Sequence, residues 1–314
     1  MQYVMGIDGG ATKTLLKMST LEGNLIASYE AGPANINVVG SRKLKKTLSE
    51  LIINSVKSAG MDLNKCKCLC IGTAGAGREK ERKMLVRMIK DIGFTQRLIV
   101  TDDVITAFHG GVGENEGIII ISGTGSICFG KNSKGESFRT GGWGYIIGDE
   151  GSGYYIGRRI LNTIMRSYDN REGYTVLTPL VLSRLNLNNP EDLVKYVYRS
   201  RTEVREISEL AKLADDACDL GDTTAENILK DTARELFCCV KTVIERLKFS
   251  DKRITIAVNG SVLVKSKYVR NEFDRLICEA YPLINVSPMR NDSAWGAVMM
   301  ALEETRRTGS DDAK

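Results

Sequence analysis

The sequence is short of the residues on which most metal sites depend. Its 314 residues include a single histidine, His109, and none of its eight cysteines forms a Cys-x-x-Cys pair, so the common zinc-ligand patterns are missing. Cys66, Cys68 and Cys70 alternate along a predicted strand, which would place all three on one buried face as small apolar side chains. A metal cluster shared between subunits is the alternative for these thiols.

Long apolar runs and concentrated charge are absent too. Even the run of four isoleucines at 118–121 is far too short to cross a bilayer, which takes roughly 20 residues. No basic segment with an apolar core precedes the first strand, and we expect a cytoplasmic protein that does not contact a membrane. The net charge of +5 comes from interspersed charges, so we also expect no binding to nucleic acid.

Two common nucleotide-binding motifs are missing as well. Neither the P-loop pattern Gly-x-x-x-x-Gly-Lys-Ser/Thr nor a Gly-x-Gly-x-x-Gly after a strand occurs in the chain. In their place stand two loops of small residues, 8–14 and 122–126, each directly after a strand, and a third glycine loop at 259–262. Such loops bring backbone N–H groups and hydroxyls close to an anion, so they predict phosphate contacts.

The order of predicted elements repeats along the chain. Strands, a small-residue loop and a glycine hairpin at 3–24 recur at 118–135, after a glycine run at 110–113 that we interpret as a hinge. Residues 152–245 show mostly helical periodicity. The pattern predicts a duplicated α/β fold with mixed sheets, comprising a lobe at 1–115, a lobe at 116–292 with a helical insertion, and a polar frayed tail at 307–314.

Asp8 stands where the first strand meets the glycines of its loop. A carboxylate there could hold Mg²⁺ through water, while Thr12 and Lys13 offer a hydroxyl and a cation to phosphate oxygens. The structural alternative is a turn aspartate in a tight hairpin. Because a second such loop recurs in the other half of the chain, we favour the functional interpretation.

Asp102 follows a hydrophobic strand and precedes a helix. At that position a carboxylate is either the cap of the helix or a base. A hydroxyl acceptor is a poor nucleophile until a carboxylate takes its proton, so a kinase needs one such group. Asp103 is adjacent, and one member of the pair could cap the helix while the other acts.

Trp143 lies between Gly142 and Gly144, an arrangement that is costly in a merely structural turn. Together with Asp149 and Glu150, this stretch offers an aromatic surface, carboxylates and backbone groups to the hydroxyls of a sugar. The alternative is a buried tryptophan anchor beside a helix cap.

These loops together resemble a known family. The segments DGGATKT at 8–14, ISGTGS at 121–126, and GGWG at 141–144 followed by GDEGS at 148–152 are similar to the N-acetylglucosamine kinase group. That group belongs to the BadF/BadG/BcrA/BcrD-type ATPases in the superfamily of sugar kinases, actin and heat-shock chaperones. The resemblance covers nearly the whole chain, and it is specific because three motifs occur in order.

The resemblance implies a fold and a reaction. The fold is a pair of ribonuclease-H-like lobes, as in actin-like ATPases, which close over an interlobe cleft, and a terminal helix at about 293–306 joins the N-terminal lobe. ATP and Mg²⁺ would be the donor, and the acceptor would be the 6-hydroxyl of a small amino sugar. N-acetylglucosamine, glucosamine and N-acetylmuramic acid all remain open as acceptors, and so does a homodimer.

The resemblance also assigns site residues. Asp102 occupies the position of the family's general base. The contacts to the sugar would be Asn35, Asp102, Gly142, Trp143, Gly144 and Asp149. The contacts to the nucleotide would be Gly10, Thr12, Lys13, Gly123, Thr124, Gly125, Gly260 and Ser261. Asn259 stands where a glycine is commoner, and Asn37 where animal enzymes carry an aromatic residue.

Two other functions are alternatives. An ATPase of the same family that activates a radical dehydratase or reductase would carry an iron–sulfur cluster across a dimer, and it would need exposed, paired cysteines. A sugar-sensing repressor would need a DNA-binding helical module, for which we find no segment ahead of the first strand.

Overall fold

The computed structural model describes residues 1–10, 12–113, 116–199 and 203–311, and of 36–38 and 308–311 it describes the backbone only. The chain divides into two compact units, Met1–Asn115 with Met289–Lys314, and Glu116–Pro288. Each unit contains one five-stranded mixed sheet.

The elements alternate between strands and helices along the chain. The strands are β1 (Tyr3–Gly9), β2 (Thr14–Thr20), β3 (Leu25–Ala31), β4 (Cys66–Thr73), β5 (Arg97–Thr101), β6 (Gly117–Ser122), β7 (Ser126–Lys131), β8 (Ser137–Gly141), β9 (Thr255–Asn259) and β10 (Asn285–Pro288). The helices are α1 (Ile36–Ser58), α2 (Glu79–Asp91), α3 (Asp103–Val112), α4 (Gly153–Tyr168), α5 (Leu177–Leu185), α6 (Asp192–Tyr198), α7 (Val204–Glu209), α8 (Lys212–Asp219), α9 (Thr223–Leu247), α10 (Ser261–Lys265), α11 (Lys267–Ala280) and α12 (Ser293–Asp311).

The two sheets have the same topology. In the first the strand order is β3-β2-β1-β4-β5, and in the second it is β8-β7-β6-β9-β10. In both, three antiparallel strands form a meander, and two parallel strands are then added at the side of the first strand. The predicted duplication of an α/β lobe is therefore confirmed.

The first unit buries both faces of its sheet. Tyr3, Met5 and Ile7 of β1 pack into a core with residues of α1 and α2. On the other face Val4 packs with α12. Gly6 permits this close contact, because a Cβ at that position would lie 2.4 Å from the backbone nitrogen of Val298.

The cysteines of β4 are buried, but they do not share one face. The register between β1 and β4 shifts at Tyr3, where Cys66 is the partner, whereas Cys68 pairs with Val4. The extra residue sends Cys66 into the core under α1 and α2, while Cys68 and Cys70 contact α12. The prediction of a single cysteine face is therefore wrong for Cys66, because a bulge interrupts the alternation.

Glycines shape α1 and α3. Helix α1 is kinked after its first turn, where Gly40 has φ of 72°. The predicted hinge at 110–113 lies mostly inside α3, where a Cβ at Gly110 would meet the carbonyl oxygen of Asp292 at 2.4 Å. This glycine therefore allows α3 to pack closely against the segment that leads into α12.

The second unit is built around α9, which packs on the sheet, with α4, α8 and α11 beside it in a single core. Strands β8 and β10 are not among the predicted elements, since short half-exposed segments carry a weak periodic signal. Helix α11 is also not among them, although Val269, Phe273 and Ile277 recur at helical spacing on its buried face. Helix α12 continues to Asp311, and the rest of the predicted tail, 312–314, lies outside the described residues. Within the described part of the chain, no helix is long and apolar enough to span a membrane.

Candidate functional site

The first glycine loop is a tight turn between β1 and β2. The N–H of Gly10 donates to the carbonyl oxygen of Lys13 at 3.0 Å, and a Cβ at Gly10 would lie only 2.7 Å from that oxygen. The side chain of Thr12 is exposed at the tip. The hydroxyl of Thr14, by contrast, is buried and donates to Gly32 O at 2.7 Å, so it serves the fold.

Lys13 already has a partner. Its ammonium lies 2.8 Å from Oε2 of Glu30, and the two side chains are 60% and 57% exposed. The hydrogen bond to Glu30 raises the pKa of Lys13, so the side chain stays cationic. Exposed ion pairs stabilise a fold by only about 0 to 1 kcal/mol, so the ammonium can leave Glu30 for a phosphate at little cost.

Asp8 lies at the centre of a group of carboxylates in the first unit. Burial raises its pKa to about 7, and the nearby charges of Asp103 and Asp292 add to this, while Lys13 lowers it. Burial and the charge of Asp102 likewise raise the pKa of Asp103 to about 6. Carboxylates that hold protons near neutrality for these reasons would be stabilised as anions by a cation beside them.

The residues around Asp8 suit a magnesium ion that arrives with a nucleotide. Within the described ranges no group of three or more His, Cys, Asp or Glu residues has the arrangement of a metal site, so the protein does not build a complete ligand set here. Mg²⁺ in phosphoryl-transfer sites typically keeps several waters and takes one or two carboxylates plus phosphate oxygens. Asp8 could supply such a carboxylate.

Asp102 occupies the N-cap position of α3, but its side chain makes no capping hydrogen bond. Its Oδ1 accepts a hydrogen bond from the N–H of Gly75 at 3.2 Å, in the loop that follows β4. Gly77 lies so close that a Cβ there would be 2.8 Å from Oδ2. The simple helix-cap interpretation is therefore wrong. The carboxylate is instead held at the end of β5 by the loop that follows β4.

Asn35 lies just before α1, beside the end of β1. The hydroxyl of Thr73 donates to Gly9 O at 2.9 Å and to Ala34 O at 3.1 Å, which ties the segment around Asn35 to the loops after β1 and β4. The same end of the sheet therefore carries Asp8, Asn35 and Asp102. The side chain of Asn37 lies outside the described residues.

The second glycine loop uses its serines differently from the prediction. The hydroxyl of Ser122 donates to Gly151 O and that of Ser126 donates to Glu150 O, each at 2.6 Å. These two hydroxyls are buried and hold one loop against the next, so they cannot bind an anion. Of the three predicted hydroxyls only that of Thr124 is exposed.

The start of α4 supports this loop. The N–H of Gly153 donates to Gly123 O at 2.7 Å, and the N–H of Tyr154 donates to Thr124 O at 3.3 Å. The loop closes on itself through Gly123 N–H and Gly125 O at 2.9 Å. Hydrogen bonds from a rigid helix to the loop preorganise its backbone for a ligand.

Gly260 lies against the second loop and precedes α10. Ser261, the first residue of α10, lines a cavity of about 380 Å³ in the second unit. The other residues that line it are Thr124, Gly153, Ile156, Arg205, Ser208, Glu209, Ala211, Lys212, Asp215, Val262, Lys265 and Ser266. The contributions of α7 and α8 are not predictable from the sequence, since these helices carry no motif.

The charges that line this cavity favour an anion. Arg205 pairs with Glu209 at 3.2 Å, and Asp215 accepts a hydrogen bond from Ser266 at 2.9 Å. Within the part of the chain that the structure describes, Lys212 and Lys265 have no acidic partner. The cavity therefore offers two available ammonium groups beside Thr124 and Ser261.

Trp143 is 62% exposed, so it is not a buried anchor, contrary to the structural alternative. The loop around it requires glycine, since Gly141, Gly142 and Gly144 have φ of 70°, 69° and 90°. The guanidinium of Arg139 lies over its ring at 4.3 Å from the ring centroid. An exposed aromatic ring in a glycine-fixed loop is a suitable surface for the apolar face of a sugar.

Asp149 joins the two loops of the second unit. It has φ of 61°, a rare conformation for a residue other than glycine. Burial raises the pKa of its carboxyl, while hydrogen bonds from the N–H groups of Ser126 and Gly144 lower it. A Cβ at Gly125 would lie 2.7 Å from its Oδ2. The Asp149 carboxylate thus lies against the second glycine loop, and its pKa is lowered by Gly144 in the loop at 141–144, which we call the tryptophan loop.

Comparison with known proteins finds one matching family and relatives that cover nearly the whole chain. The sequence model of the BadF/BadG/BcrA/BcrD ATPase family matches residues 5–301. The N-acetylmuramic acid/N-acetylglucosamine kinase of Clostridium acetobutylicum is 42% identical over 304 residues, which cover 97% of this chain and 99% of that protein. The N-acetyl-D-glucosamine kinase of Dictyostelium discoideum is 30% identical over 316 residues, with coverage of 97% and 99%.

A solved structure shares the fold. The crystal structure of a proposed N-acetylglucosamine kinase from Chromobacterium violaceum matches with a TM-score of 0.78 and 22% identity over 96% of this chain and 99% of that one. At this level of identity the match establishes the architecture alone.

Proposed function

The chain belongs to the BadF/BadG/BcrA/BcrD ATPase family, as its loops predicted, and we propose that within this family it is an ATP-dependent kinase of amino sugars. The observation that carries the proposal is the position of Asp149. Its Oδ2 lies so close to Gly125 in the second glycine loop that a Cβ there would be 2.7 Å away, and the backbone N–H groups of Ser126 and of Gly144, beside Trp143, lower its pKa. A phosphate loop and a sugar-type surface are thereby linked, and two relatives of 42% and 30% identity are named as kinases of such sugars.

The donor is ATP. Gly123, Thr124 and Gly125 contact its phosphates, and Gly260 and Ser261 border the cavity that receives the nucleoside. In the first unit Gly10, Thr12 and Lys13 form the second phosphate contact. The exposed hydroxyls of Thr12 and Thr124 and the two unpaired lysines of the cavity support this assignment.

Mg²⁺ accompanies the nucleotide. Asp8 would hold it through water. When bound, the ion neutralises charge on the phosphate oxygens and so favours transfer.

The acceptor is the 6-hydroxyl of N-acetylglucosamine or a close relative, N-acetylmuramic acid or glucosamine. Trp143, with Gly142 and Gly144, forms a surface for the sugar ring. The carboxylate of Asp149 accepts hydrogen bonds from the sugar hydroxyls, and the amide of Asn35 can donate or accept them. Because this side of the site has an aromatic face and carboxylates, it suits a ring with one apolar face and several hydroxyls.

Asp102 is the general base of the proposed reaction. The acceptor oxygen forms a bond to the γ-phosphorus while the bond from that phosphorus to the bridging oxygen of ADP breaks. The hydroxyl proton passes to the carboxylate of Asp102, whose Oδ1 is held by the N–H of Gly75. ADP and the sugar phosphate then leave.

The activator ATPase is not favoured. Such a protein would use exposed, paired cysteines, but Cys66, Cys68 and Cys70 are fully buried, and the exposed Cys238 and Cys278 lie on separate helices, α9 and α11. Burial raises the pKa of the Cys68 thiol to about 12 and that of the Cys66 and Cys70 thiols as well, which opposes the thiolate form that binds iron.

The proposal is tested by ADP release from ATP and Mg²⁺ with N-acetylglucosamine, glucosamine, N-acetylmuramic acid and glucose offered separately. We expect strong stimulation by one or more of the amino sugars and little by glucose. Slow hydrolysis that is indifferent to every sugar would contradict the kinase. A cytoplasmic location and a homodimer stay predictions, which cell fractionation and light scattering would check.

A further inference from the structure

Arg139 lies on β8, the edge strand of the second sheet, and its neighbours point to the opposite face. Phe138 packs into the core around α9, and the hydroxyl of Thr140 donates to Cys239 O on α9 at 3.0 Å. Because side chains alternate along a strand, Arg139 projects from the other face, where the tryptophan loop lies.

The guanidinium of Arg139 is stacked but not paired. Its carbon lies 4.3 Å from the ring centroid of Trp143, and Nη1 lies 3.4 Å from Gly142 O, the long end of hydrogen-bond distance. Among the residues that the structure describes, no carboxylate forms an ion pair with it.

Contact with the ring leaves N–H donors of the guanidinium available. An arginine that lies over an aromatic ring keeps several N–H donors, and these donors match the two oxygens of a carboxylate. Packing against Trp143 also restricts the side chain, so less of its freedom is lost when an anion binds. A half-buried, oriented and unpaired cation therefore stands beside the proposed sugar surface.

We infer that Arg139 binds the carboxylate of an acidic amino sugar, one that carries a lactyl ether on its ring, as N-acetylmuramic acid does. The inference rests on the proposed function and assigns one residue to one feature of the acceptor. N-acetylglucosamine has no carboxylate, so it gains nothing from this contact. Arg139 would therefore determine whether the enzyme accepts the acidic sugar, without affecting the neutral one.

The test compares two acceptors in matched variants. KM and kcat are measured for N-acetylmuramic acid and N-acetylglucosamine with the wild type, Arg139→Gln, Arg139→Lys and a control, Arg246→Gln. Arg246 stacks on Phe138 at 5.4 Å on the α9 face of the same strand, so it controls for loss of an arginine that stacks on a ring at β8. We expect Arg139→Gln to raise KM for the acidic sugar about ten- to hundredfold, as for a lost charged hydrogen bond.

The other expected values follow from the same contact. With Arg139→Gln, KM for N-acetylglucosamine should stay within about twofold of the wild type, since packing on Trp143 is a small effect at an exposed ring. With Arg139→Lys, KM for N-acetylmuramic acid should lie between the values of the wild type and of Arg139→Gln, because lysine keeps the charge but not the paired donors. Arg246→Gln should leave KM unchanged for both sugars.

The methyl ester of N-acetylmuramic acid provides a test on the side of the substrate. The wild type should prefer the free acid over its ester, and Arg139→Gln should lose that preference. Calorimetric binding of the acid without ATP should weaken in Arg139→Gln in parallel with KM.

The outcomes separate the inference from the proposed function. Equal losses for both sugars would show that Arg139 only supports Trp143, and unchanged values would show that it has no role; either result overturns the inference. A wild type that phosphorylates N-acetylglucosamine but not the acid would overturn it too, while the kinase would stand. A wild type that phosphorylates no sugar would contradict the kinase and the inference together.

Discussion

Gly260 lies so close to Ser122 that a Cβ at position 260 would be 2.2 Å from the carbonyl oxygen of Ser122. Gly260 also has φ of 89°, so the backbone there is one that other residues rarely adopt. The start of α10 and the second glycine loop thus meet backbone to backbone. A side chain at position 260 must therefore displace the loop that we assign to the phosphates of ATP.

We predict that Gly260→Ala raises KM for ATP by at least about tenfold and destabilises the fold by about 2 kcal/mol or more. The matched control is Gly135→Ala, since Gly135 has a similar φ of 83° and a Cβ there would meet no atom within 4 Å. The control should show only the conformational cost, roughly 1 to 2 kcal/mol, and an unchanged KM. Urea unfolding and ATP titrations measure both quantities. Equal KM values for the two variants would remove Gly260 from the nucleotide site.

Asp102→Asn is the test of the general base. The asparagine keeps an oxygen that can accept from the N–H of Gly75, but it cannot take the proton of the acceptor hydroxyl. We predict that kcat falls by about 10²- to 10⁴-fold, while calorimetric binding of the sugar is nearly unchanged. Appreciable turnover in this variant would remove Asp102 from that role.

A second variant probes the loop that holds this carboxylate. A Cβ at Gly77 would lie 2.8 Å from Oδ2 of Asp102, so Gly77→Ala should displace the carboxylate without removing it. We predict a lower kcat with little change in KM for ATP, and a smaller loss than in Asp102→Asn. A kcat equal to that of the wild type would mean that the position of this carboxylate tolerates the shift.

Trp143→Ala tests the sugar surface. The ring is exposed, so its removal should cost little stability, but it should raise KM for the sugar by roughly tenfold, as for loss of an aromatic contact. Ile146→Ala is the matched control, because Ile146 lies in the same loop and is 76% exposed. A KM that is unchanged by Trp143→Ala, or raised equally by both variants, would contradict a specific contact to the ring.

The sequence predicted the parts of this site that depend on local pattern. Asp8, Asp102 and Ser122 lie at or next to the ends of β1, β5 and β6, because apolar runs give way there to small or acidic residues. The duplicated order of such runs indicated the fold. Gly142 and Gly144 also indicated a functional loop from the sequence, because the positive φ that favours glycine at these positions is a local property of the turn.

What the sequence did not predict depends on contacts between distant residues. Glu30 reaches Lys13 only once the β-meander has formed, and the hydroxyls of Ser122 and Ser126 are taken by carbonyl groups of a loop some 25 residues further on. Nothing in the sequence distinguishes Arg139 from other arginines, because its contact with the ring of Trp143 exists only in the folded chain. No period or spacing in the chain encodes these partners.

Asp103 should make the stability of the protein depend on pH. Burial and Asp102 raise its pKa from an ordinary 3.8 to about 6 in the folded state. Below pH 3.8 the folded and the unfolded state both hold the proton of Asp103. Between pH 3.8 and about 6 the unfolded chain ionises before the folded protein does, so the free energy of unfolding falls as pH rises. The full loss above that interval is roughly 2 to 3 kcal/mol.

Asp103→Asn removes this titration and keeps an oxygen that can accept from the N–H of Val104, now 2.9 Å from Oδ1. We therefore predict that the variant gains stability over the wild type as pH rises, by about 1 kcal/mol more at pH 8 than at pH 5. Urea unfolding without nucleotide at the two pH values measures the difference, and Asp251→Asn, at an exposed position, controls for the loss of one charge. A difference that stays constant with pH, or that shrinks as pH rises, would contradict a raised pKa at Asp103.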